Sequence, residues 1–461
     1  MAYERQQENT PVWYLITKKS RSESLALFSK ILEMPLSMLY NVCNVSFKRI
    51  GLKMDRIRIG LVGFGGRGKG ILRGVLINSA FRDEVVVTAV CDAYEDRALE
   101  AKKEVDDRYG ITTTFATTDW HELLDKNKID AVVIASSWES HIEISLEFLE
   151  AGIPVGSEIG GAYSIEQCWQ LVRTQQRTNT KFMFLENCCY GRKELLAMNM
   201  LDKGVLGEIT YCAGAYIHDL RDEICGGFKN RHYRLRNFLL RNCDNYPTHD
   251  LGPISKLLGI NYNNRMLTLT SCGSRAISLE NHVNNNPDKY GELQGLRFKQ
   301  ADYTNTNIKC AGGELINLTF GTSSPRPSTR MFTVCGTKGT VLGDTNSIYL
   351  DRDIEKEPES WQEYWNNQEK YYEEFDHPLW KNNEIKGGHG GMDGHMFGAF
   401  FEYVRGEREC PIDVFDAATW MSISVLSEES IARGGTPVAI PDFTEGKWLM
   451  NASKKTPLFG I

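Results

Sequence analysis

Short apolar runs alternate with longer amphipathic segments through the first half of the chain. The apolar runs occupy residues 57–62, 85–90, 130–136, 153–157 and 182–185. Between them, apolar side chains recur at helical spacing over residues 97–109, 119–125, 141–150 and 164–178. Strands that alternate with helices of this length form parallel sheets with crossover connections. The pattern predicts an α/β fold with a Rossmann doubly wound parallel sheet, whose ligand crevice lies beyond the carboxyl ends of the strands.

The pattern changes in the second half, because strand-like runs follow one another there with few helical segments between them. A helical segment at 194–203 comes first, and apolar runs follow at 209–216, 265–271, 314–320, 330–335 and 340–342. Successive strands without crossover helices pair antiparallel. We therefore predict an α+β domain with a largely antiparallel open sheet, closed by a helix over residues 416–432.

These patterns divide the chain into four parts. Residues 1–54 are an N-terminal extension with helical spacing over 22–40, residues 55–180 are the Rossmann domain, residues 181–445 are the α+β substrate domain, and residues 446–461 are a tail. The closing helix is predicted to pack back on the core. Residues 357–386 are rich in polar and aromatic side chains with weak periodicity, which predicts an exposed excursion.

A glycine-rich turn follows the first apolar run, in the string IRIGLVGFGGRGKG. Gly63, Gly65 and Gly68 have the spacing of a dinucleotide-binding turn, in which the glycines permit the tight turn, close approach of a pyrophosphate and close packing of the next helix. That helix offers free N–H groups to phosphate at its N-terminus. With Gly66 and Arg67 between them, these residues form the predicted cofactor-binding turn. A glycine turn without a ligand is the alternative.

Asp92 ends the second apolar run, at the distance where dinucleotide-binding folds place an acid. Its carboxylate can accept hydrogen bonds from both hydroxyls of an adenine ribose and repel a 2′-phosphate. The alternative role is a strand-end or helix-capping acid. Because strand, turn, helix, strand and acid occur in order, we predict that the cofactor is NAD rather than NADP.

Charge and cysteine content exclude several other classes of protein. The 461 residues carry a formal net charge of −7 without a basic stripe, which argues against a nucleic-acid partner. The 12 cysteines include no C-x-x-C pair and are predicted to be reduced thiols. No run reaches the roughly 18 to 20 apolar residues of a membrane span, and the start of the chain lacks a signal peptide. These features predict a cytoplasmic protein without a membrane partner.

The order of the motifs resembles the Gfo/Idh/MocA superfamily over most of residues 55–445. Four strings resemble more narrowly the NAD-dependent glycoside hydrolases of family 109, whose characterised members are mostly α-N-acetylgalactosaminidases. The strings are SEIGGAYSIEQCWQLV from Ser157, LENCCYGR from Leu185, NYPTHDLGPI from Asn245 and GGHGGMD from Gly387. They are long and spread in order over the chain, so they are more specific than the glycine turn. The resemblance implies a small glycoside or a glycan terminus as the substrate.

One lysine of the superfamily's ordinary sugar dehydrogenases is absent from this chain. Those enzymes carry Glu-Lys-Pro where this sequence has Ser-Glu-Ile at 157–159, and their lysine handles the hydroxyl proton during hydride transfer. Glu158 should sit at the crevice, because the carboxyl ends of parallel strands meet there. It is predicted to orient the nicotinamide ribose or the substrate. Another residue must then supply the base.

Family 109 chemistry, as the resemblance implies it, belongs to the NAD-dependent exceptions among glycosidases. NAD⁺ takes hydride from C3 of the sugar, the ketone acidifies the C2 proton, elimination expels the C1 substituent, and water addition and hydride return close a redox-neutral cycle. His249 is the predicted acceptor of the C3 hydroxyl proton, because imidazole titrates near working pH. Tyr190 is predicted to take the C2 proton, which requires a lowered phenol pKa. Tyr246 is predicted to bind the sugar or support His249. The alternatives are a helix-capping histidine and a cleft-wall tyrosine.

Three further residues are predicted to contact the substrate. His389 lies among glycines, where exposed backbone can approach a ligand closely. Arg326 lies in SSPRPSTR, which resembles a Pro-Arg-Pro segment of the family, and Asn187 lies in the LENCCYGR string. His389, Asp393 and His395 could alternatively suggest a metal, but no other spacing supports a closed site, so we predict no metal.

Three departures from the family pattern weaken the transfer of its substrate. Asp250 stands where the family usually has glycine, Gly321 where relatives carry histidine, and Ser328 where they carry tyrosine. Two other functions therefore stay open, a simple NAD-dependent sugar or cyclitol dehydrogenase and a non-catalytic NAD-binding sensor. The exposed face of the second sheet suits a homo-oligomer.

Overall fold

The first sheet has six parallel strands in the order β3-β2-β1-β4-β5-β6. In a computed structural model that describes residues 56–353, 361–381 and 387–450, these strands are β1 Ile57–Val62, β2 Val85–Cys91, β3 Phe115–Thr117, β4 Ala131–Ile134, β5 Val155–Glu158 and β6 Phe182–Leu185. Strands β4, β5 and β6 are buried at every residue, as strands covered on both faces are. The strand order reverses between β1 and β4, which places the crevice there. The predicted Rossmann sheet is confirmed.

Four helices connect these strands. They are α1 Gly66–Ile71, which continues as a π-helical turn over Leu72–Leu76, α2 Glu95–Tyr109, α3 His141–Glu150 and α4 Ile165–Thr178. Helix α4 begins with a capping box, in which Ser164 and Gln167 each bond the other's backbone N–H. The helix predicted at 119–125 is instead a short 3₁₀ turn, Trp120–Leu123. The predicted helix within residues 22–40 lies outside the described residues.

The second sheet has eight strands in the order β13-β12-β11-β7-β10-β9-β8-β14. Their bounds are β7 Ile209–Ile217, β8 Met266–Gly273, β9 Thr304–Cys310, β10 Leu315–Gly321, β11 Thr333–Gly336, β12 Gly339–Leu342, β13 Ser347–Leu350 and β14 Val438–Ala439. Only β7 and β10 pair in parallel, so the predicted largely antiparallel sheet is confirmed. The apolar pattern missed β9, because its sequence TNTNIKC buries threonine side chains at alternate positions.

The helices of the second half are mostly short. They are α5 Arg192–Asp202, α6 Arg221–Cys225, α7 Gly227–Asn230, α8 Arg234–Leu240, α9 Thr248–Leu257, α10 Ser278–Asn285, α11 Pro287–Tyr290, α12 Tyr372–Phe375, α13 Pro378–Lys381, α14 Met392–Arg405, α15 Val414–Ala432 and α16 Lys447–Met450. Helix α15 packs against α4 and β6 of the first half and against β8 of the second sheet. It therefore joins the two sheets, and Trp420 at its centre is fully buried. No helix in the described ranges is long and apolar enough to cross a bilayer.

The segment predicted as an exposed excursion divides in two. Residues 362–370 are mostly exposed, as predicted. Tyr371 and Phe375 are 5% and 0% exposed and belong to the main hydrophobic core, so the prediction is wrong for that part. The aromatic side chains that give the segment its weak periodicity are the ones that anchor it.

Candidate active site

The glycine turn joins β1 to α1, and its glycines meet two different constraints. Gly63 has a φ of 98°, and a Cβ there would lie 2.5 Å from the backbone of Ala135. At Gly68 a Cβ would lie 2.0 Å from the carbonyl oxygen of Gly63. A Cβ at Gly65 would meet nothing closer than 3.9 Å, and one at Gly66 nothing within 4 Å. Two glycines thus make the turn compact, and two leave its outer side open to a pyrophosphate.

Asp92 lies beside this turn at the end of β2. Its Oδ2 accepts a hydrogen bond from the N–H of Phe64 at 2.7 Å, and its Oδ1 accepts one from the N–H of Tyr94 at 3.0 Å. The carboxylate therefore fixes the turn to β2, which is the structural role left open above. Each oxygen keeps a second lone pair that can accept from a ribose hydroxyl, so the residues present fit the adenosine half of NAD.

Arg67 lies at the centre of a charged cluster that joins the turn to the second half of the chain. Its Nη2 donates to Oε1 of Glu158 at 2.6 Å, and its Nη1 donates to Oδ2 of Asp393 at 2.8 Å. Asp393 also accepts from Nδ2 of Asn187 at 2.8 Å, and its Oδ2 lies 2.8 Å from Nδ1 of His389. We call these five residues the Asp393 cluster. It brings together two predicted cofactor residues and two predicted substrate residues.

The two carboxylates of the Asp393 cluster differ in their affinity for a proton. Burial raises the pKa of Glu158, and the opposing charge of Arg67 does not fully offset it. Burial also works to raise the pKa of Asp393, but hydrogen bonds from His389 and Arg67 outweigh it and hold that pKa well below its usual range. Asp393 is therefore the fixed negative charge of the cluster.

A second cluster forms around His249, in the first turn of α9. Oε1 of Glu186, which follows β6, lies 2.7 Å from Nδ1 of His249 and accepts the N–H of Cys188 at 2.9 Å. Burial works to raise the pKa of Glu186, but its interactions with His249 and Thr248 hold the pKa below its usual value. An ionised carboxylate only accepts hydrogen bonds, so Nδ1 carries the proton. Nε2 is then the basic nitrogen, and it lies 3.5 Å from the hydroxyl of Tyr246. We call Glu186, His249 and Tyr246 the His249 cluster.

Aromatic rings and one buried guanidinium flank the His249 cluster. The ring of Tyr246 lies 4.3 Å from that of Tyr216 and 5.3 Å from that of Trp138, measured between centroids. Cζ of Arg234 lies 5.2 Å from the Tyr246 ring. The Arg234 side chain is 9% exposed, and its Nε lies 2.7 Å from Oε1 of Glu223. Its Nη1 is buried without a hydrogen-bond partner among the described residues, so this group can donate to an acceptor that binds there.

The structure does not bring Tyr190 to this cluster. Its side chain is 1% exposed, and burial raises the pKa of the phenol well above 10. The charged side chains that act on this pKa are Arg408 and Glu402, which do not belong to the His249 cluster. The predicted role requires a lowered pKa and an accessible ring, so the position of Tyr190 contradicts it.

Arg326 also stands apart from both clusters. It is half-buried and shares no hydrogen bond or ion pair with either cluster within the described ranges, although its Nε is buried without a partner there. The structure therefore leaves its predicted contact with substrate without support. Gly321, in the strand that precedes it, lies under the ring of Tyr303, which a Cβ at Gly321 would approach to 2.5 Å.

The side chains that could hold a metal are different from those the sequence suggested. Among the described residues, ligand atoms of Glu186, Cys188 and His249 lie within 4.8 Å of one another, whereas the ring of His395 packs on Trp380 at 4.9 Å. Burial raises the pKa of the Cys188 thiol well above 9. Glu186 and His249 already bond each other at 2.7 Å.

Two family models divide the chain between them. Residues 57–185 match the oxidoreductase family with an NAD-binding Rossmann fold, and residues 190–450 match the C-terminal domain of glycosyl hydrolase 109. The chain belongs to glycosyl hydrolase family 109. It therefore belongs to a family of enzymes. It also has an NAD-binding domain, as the glycine turn and Asp92 predict.

Relatives of known name agree over nearly the whole length. This family 109 protein is 32% identical to the alpha-N-acetylgalactosaminidase of Tannerella forsythia, over 87% of this chain and 89% of the relative. It is 33% identical to a glycosyl hydrolase family 109 protein of Stenotrophomonas maltophilia, over 88% and 92%. Among solved structures, a levoglucosan dehydrogenase in complex with NADH is similar at a TM-score of 0.63 and 18% identity, over 84% of this chain and 100% of that one. This last likeness concerns the fold alone.

Sequence reasoning missed three residues that organise the site of this family 109 protein. Glu186 follows a parallel strand, so the rule that places ligands beyond strand ends would have found it. Asp393 was considered only as a metal ligand, although the adjacent glycines marked its segment. Arg234 has no signal in the sequence, because the sequence of its helix, RLRNFLL, does not distinguish this buried arginine from the exposed Arg236.

Proposed function

We propose that this chain is an NAD-dependent glycoside hydrolase that acts on an α-N-acetylgalactosaminide or a related glycoside. The cycle would be oxidation at C3, elimination, water addition and re-reduction, with no net turnover of NAD. The observation that carries the proposal is the Glu186–His249 pair, 2.7 Å apart, in a chain without the dehydrogenase lysine after Glu158. The family and the name of the Tannerella forsythia relative support the substrate class.

His249 would accept the proton of the C3 hydroxyl. Bound NAD would supply the reversible hydride acceptor. As C3 gives up its hydride, Nε2 of His249 would take the proton of the C3 hydroxyl, and the Glu186 carboxylate would stabilise the resulting imidazolium through Nδ1. Burial raises the pKa of Tyr246 well above 10, so its phenol stays protonated beside Nε2 and can donate to the same oxygen. This pair replaces the missing lysine.

Arg234 would bind an acceptor oxygen of the sugar, such as the carbonyl of a 2-acetamido group. Its guanidinium is buried against aromatic rings, and Nη1 has no partner among the described residues. A site built to donate a hydrogen bond discriminates strongly against substrates that leave the donor unpaired. The proposed cleft then lies between the Rossmann domain and the α+β domain, with Arg234 and His249 on the latter.

An assay with nitrophenyl α-N-acetylgalactosaminide in D₂O tests the proposal. We expect aglycone release that depends on bound NAD, deuterium at C2 of the product and no net NADH. His249→Ala should abolish release while NAD affinity stays unchanged, because His249 contacts neither the glycine turn nor the Asp393 cluster. Arg234→Ala should lower aglycone release, because it removes the proposed donor to the sugar, and Arg236→Ala, which removes an exposed arginine from the same helix, is its matched control.

Two outcomes would replace the proposal. Net NADH without aglycone release on a panel of sugars and cyclitols would identify a dehydrogenase. Neither product with any member of the panel, together with retained NAD binding, would identify a sensor. Deuterium absent from C2 despite aglycone release would contradict the elimination step alone.

A further inference from the structure

Asp393 receives side chains from three separate parts of the chain. Its carboxylate is 2% exposed and accepts both Nη atoms of Arg67, at 2.8 and 3.0 Å. The same carboxylate accepts Asn187 and contacts His389, each at 2.8 Å. Arg67 belongs to the glycine turn, and Asn187 directly follows Glu186. The buried Asp393 carboxylate therefore bonds the glycine turn, the residue that follows Glu186 and the His389 segment at the same time.

The backbone before α14 is shaped to place this carboxylate. Gly387, His389, Gly390 and Gly391 have φ values of 82°, 50°, 66° and 104°. The left-handed region is unfavourable for a non-glycine residue, and the contact with Asp393 holds His389 there. A Cβ at Gly388 would lie 2.7 Å from Oδ2 of Asp393.

The same segment reaches the helix that follows the glycine turn. A Cβ at Gly74, in the π-helical turn after α1, would lie 3.5 Å from the backbone nitrogen of Gly388. The segment that precedes α14 is therefore held beside the glycine turn by close backbone contact between Gly74 and Gly388 and by the Asp393–Arg67 ion pair. Both contacts join residues far apart in sequence, so neither follows from local structure.

We propose that Asp393 is a positioning residue that keeps NAD bound between turnovers by fixing Arg67 and the His389 segment beside the glycine turn. This inference rests on the proposed function, in which the hydride returns to the sugar and the cofactor has no need to leave. Changes at a binding site act mainly on the dissociation rate, and Arg67, which Asp393 holds, belongs to the glycine turn. Asp393 would therefore control how fast the cofactor exchanges.

The rate of NADH release from the full-length protein tests this role without any glycoside. NADH fluorescence is followed after excess NAD⁺ is added to the NADH-loaded wild type, Asp393→Asn and Asp376→Asn. Asp376 is the matched control, because it is also a buried carboxylate that accepts Nε and Nη2 of an arginine, Arg192. We expect Asp393→Asn to release NADH about tenfold faster or more, and Asp376→Asn to keep the wild-type rate.

Two results would overturn the proposal. One is a wild-type release rate in folded Asp393→Asn, and the other is an equal acceleration in Asp376→Asn, which would indicate general destabilisation. If Asp393→Asn does not fold, His389→Ala decides, since that side chain is 55% exposed. An acceleration of about two- to fivefold supports the role, and an unchanged rate overturns it.

Added NAD⁺ separates this inference from the proposed function. Where the wild type releases aglycone, Asp393→Asn should lose activity on dilution and regain it with added NAD⁺, which a merely structural defect would not do. Activity that stays lost at saturating NAD⁺ would contradict a positioning role. A wild type that shows no glycosidase activity would refute the proposed function and leave the release rates to decide the role of Asp393.

Discussion

The two clusters at the crevice differ in the partners of their buried carboxylates. In the Asp393 cluster, Glu158 and Asp393 share the guanidinium of Arg67. In and around the His249 cluster, Glu186 is paired only with an imidazole, and the buried Asp244 and Asp250 have no cation among their hydrogen-bond partners in the described residues. The first arrangement holds Asp393 ionised over a wide pH range, and the second contains buried acids whose pKa values are raised by burial.

This difference matches what the proposed function requires of the two clusters. A cofactor is held by groups whose charge does not change, and a hydroxyl proton is exchanged by groups that titrate. The arginine pair and the histidine pair are therefore not interchangeable, although both place an acid beside a strand end. Four substitutions test the comparison.

The largest expected effect follows from removing the charge of the His249 cluster. In Glu186→Gln an amide replaces the carboxylate that holds the Nδ1 proton, so Nε2 loses its role as the basic nitrogen in part of the molecules. We expect glycosidase activity to fall roughly 10²- to 10⁴-fold. NADH release should keep the wild-type rate, and a faster release would show that the two clusters are not separate.

The second largest expected effect is a loss of stability when the Asp393 cluster loses its arginine. Arg67→Gln leaves the carboxylates of Glu158 and Asp393 buried without a cation. We expect the free energy of unfolding to fall by about 3 kcal/mol, at the lower end for a buried ion pair, because the Arg67 side chain is 26% exposed. Urea unfolding at pH 7.5 measures the loss. Protonation of the two acids should restore part of it near pH 5. Arg192→Gln removes the more exposed arginine of the Asp376 pair and should cost less.

Much of this comparison could be predicted from the sequence, but not all of it. The spacing of Gly63, Gly65 and Gly68 and the position of Asp92 follow from constraints on a strand-turn-helix unit, which are local. The Asp393 cluster depends on contacts between residues 67 and 393, and no local pattern specifies such a contact. Sequence reasoning could name Arg67, Asn187 and His389 separately without showing that one acid joins them.

Tyr190 shows a second limit of prediction from strings. It ends the 3₁₀ turn Asn187–Tyr190, in which successive side chains point in different directions. Asn187 faces Asp393, Cys188 accepts a contact from Arg330, and Tyr190 enters the core. A matching string identifies the turn but does not specify which of its residues faces the crevice.

A third substitution tests whether acids near His249 hold protons. Burial raises the pKa of Asp244 to about 7. Because the folded-state pKa is raised, the stability this carboxyl contributes is complete below its unfolded pKa of about 4 and is lost as the pH rises through 7. Asp244→Asn should therefore unfold with a weaker pH dependence, so that its stability relative to the wild type rises by about 2 kcal/mol between pH 5 and pH 8. A difference that does not change with pH would contradict this protonation state.

The smallest expected effect concerns Asp250, at the position where the resemblance to the family predicts glycine. Its Cβ would lie 2.5 Å from a Cβ at Gly214, and its Oδ1 is buried without a hydrogen-bond partner among the described residues. Burial and the charge of Asp244 raise the pKa of Asp250 well above its usual value, and we predict that the carboxyl keeps its proton at neutral pH. Asp250→Asn replaces one neutral group by another of nearly equal size and should change stability at pH 7 by less than about 1 kcal/mol. Because a neutral Asp250 places no charge beside His249, the pH profile of activity should also stay unchanged. A shift of its basic or acidic limb would show instead that Asp250 is ionised and that the His249 cluster contains a second fixed charge.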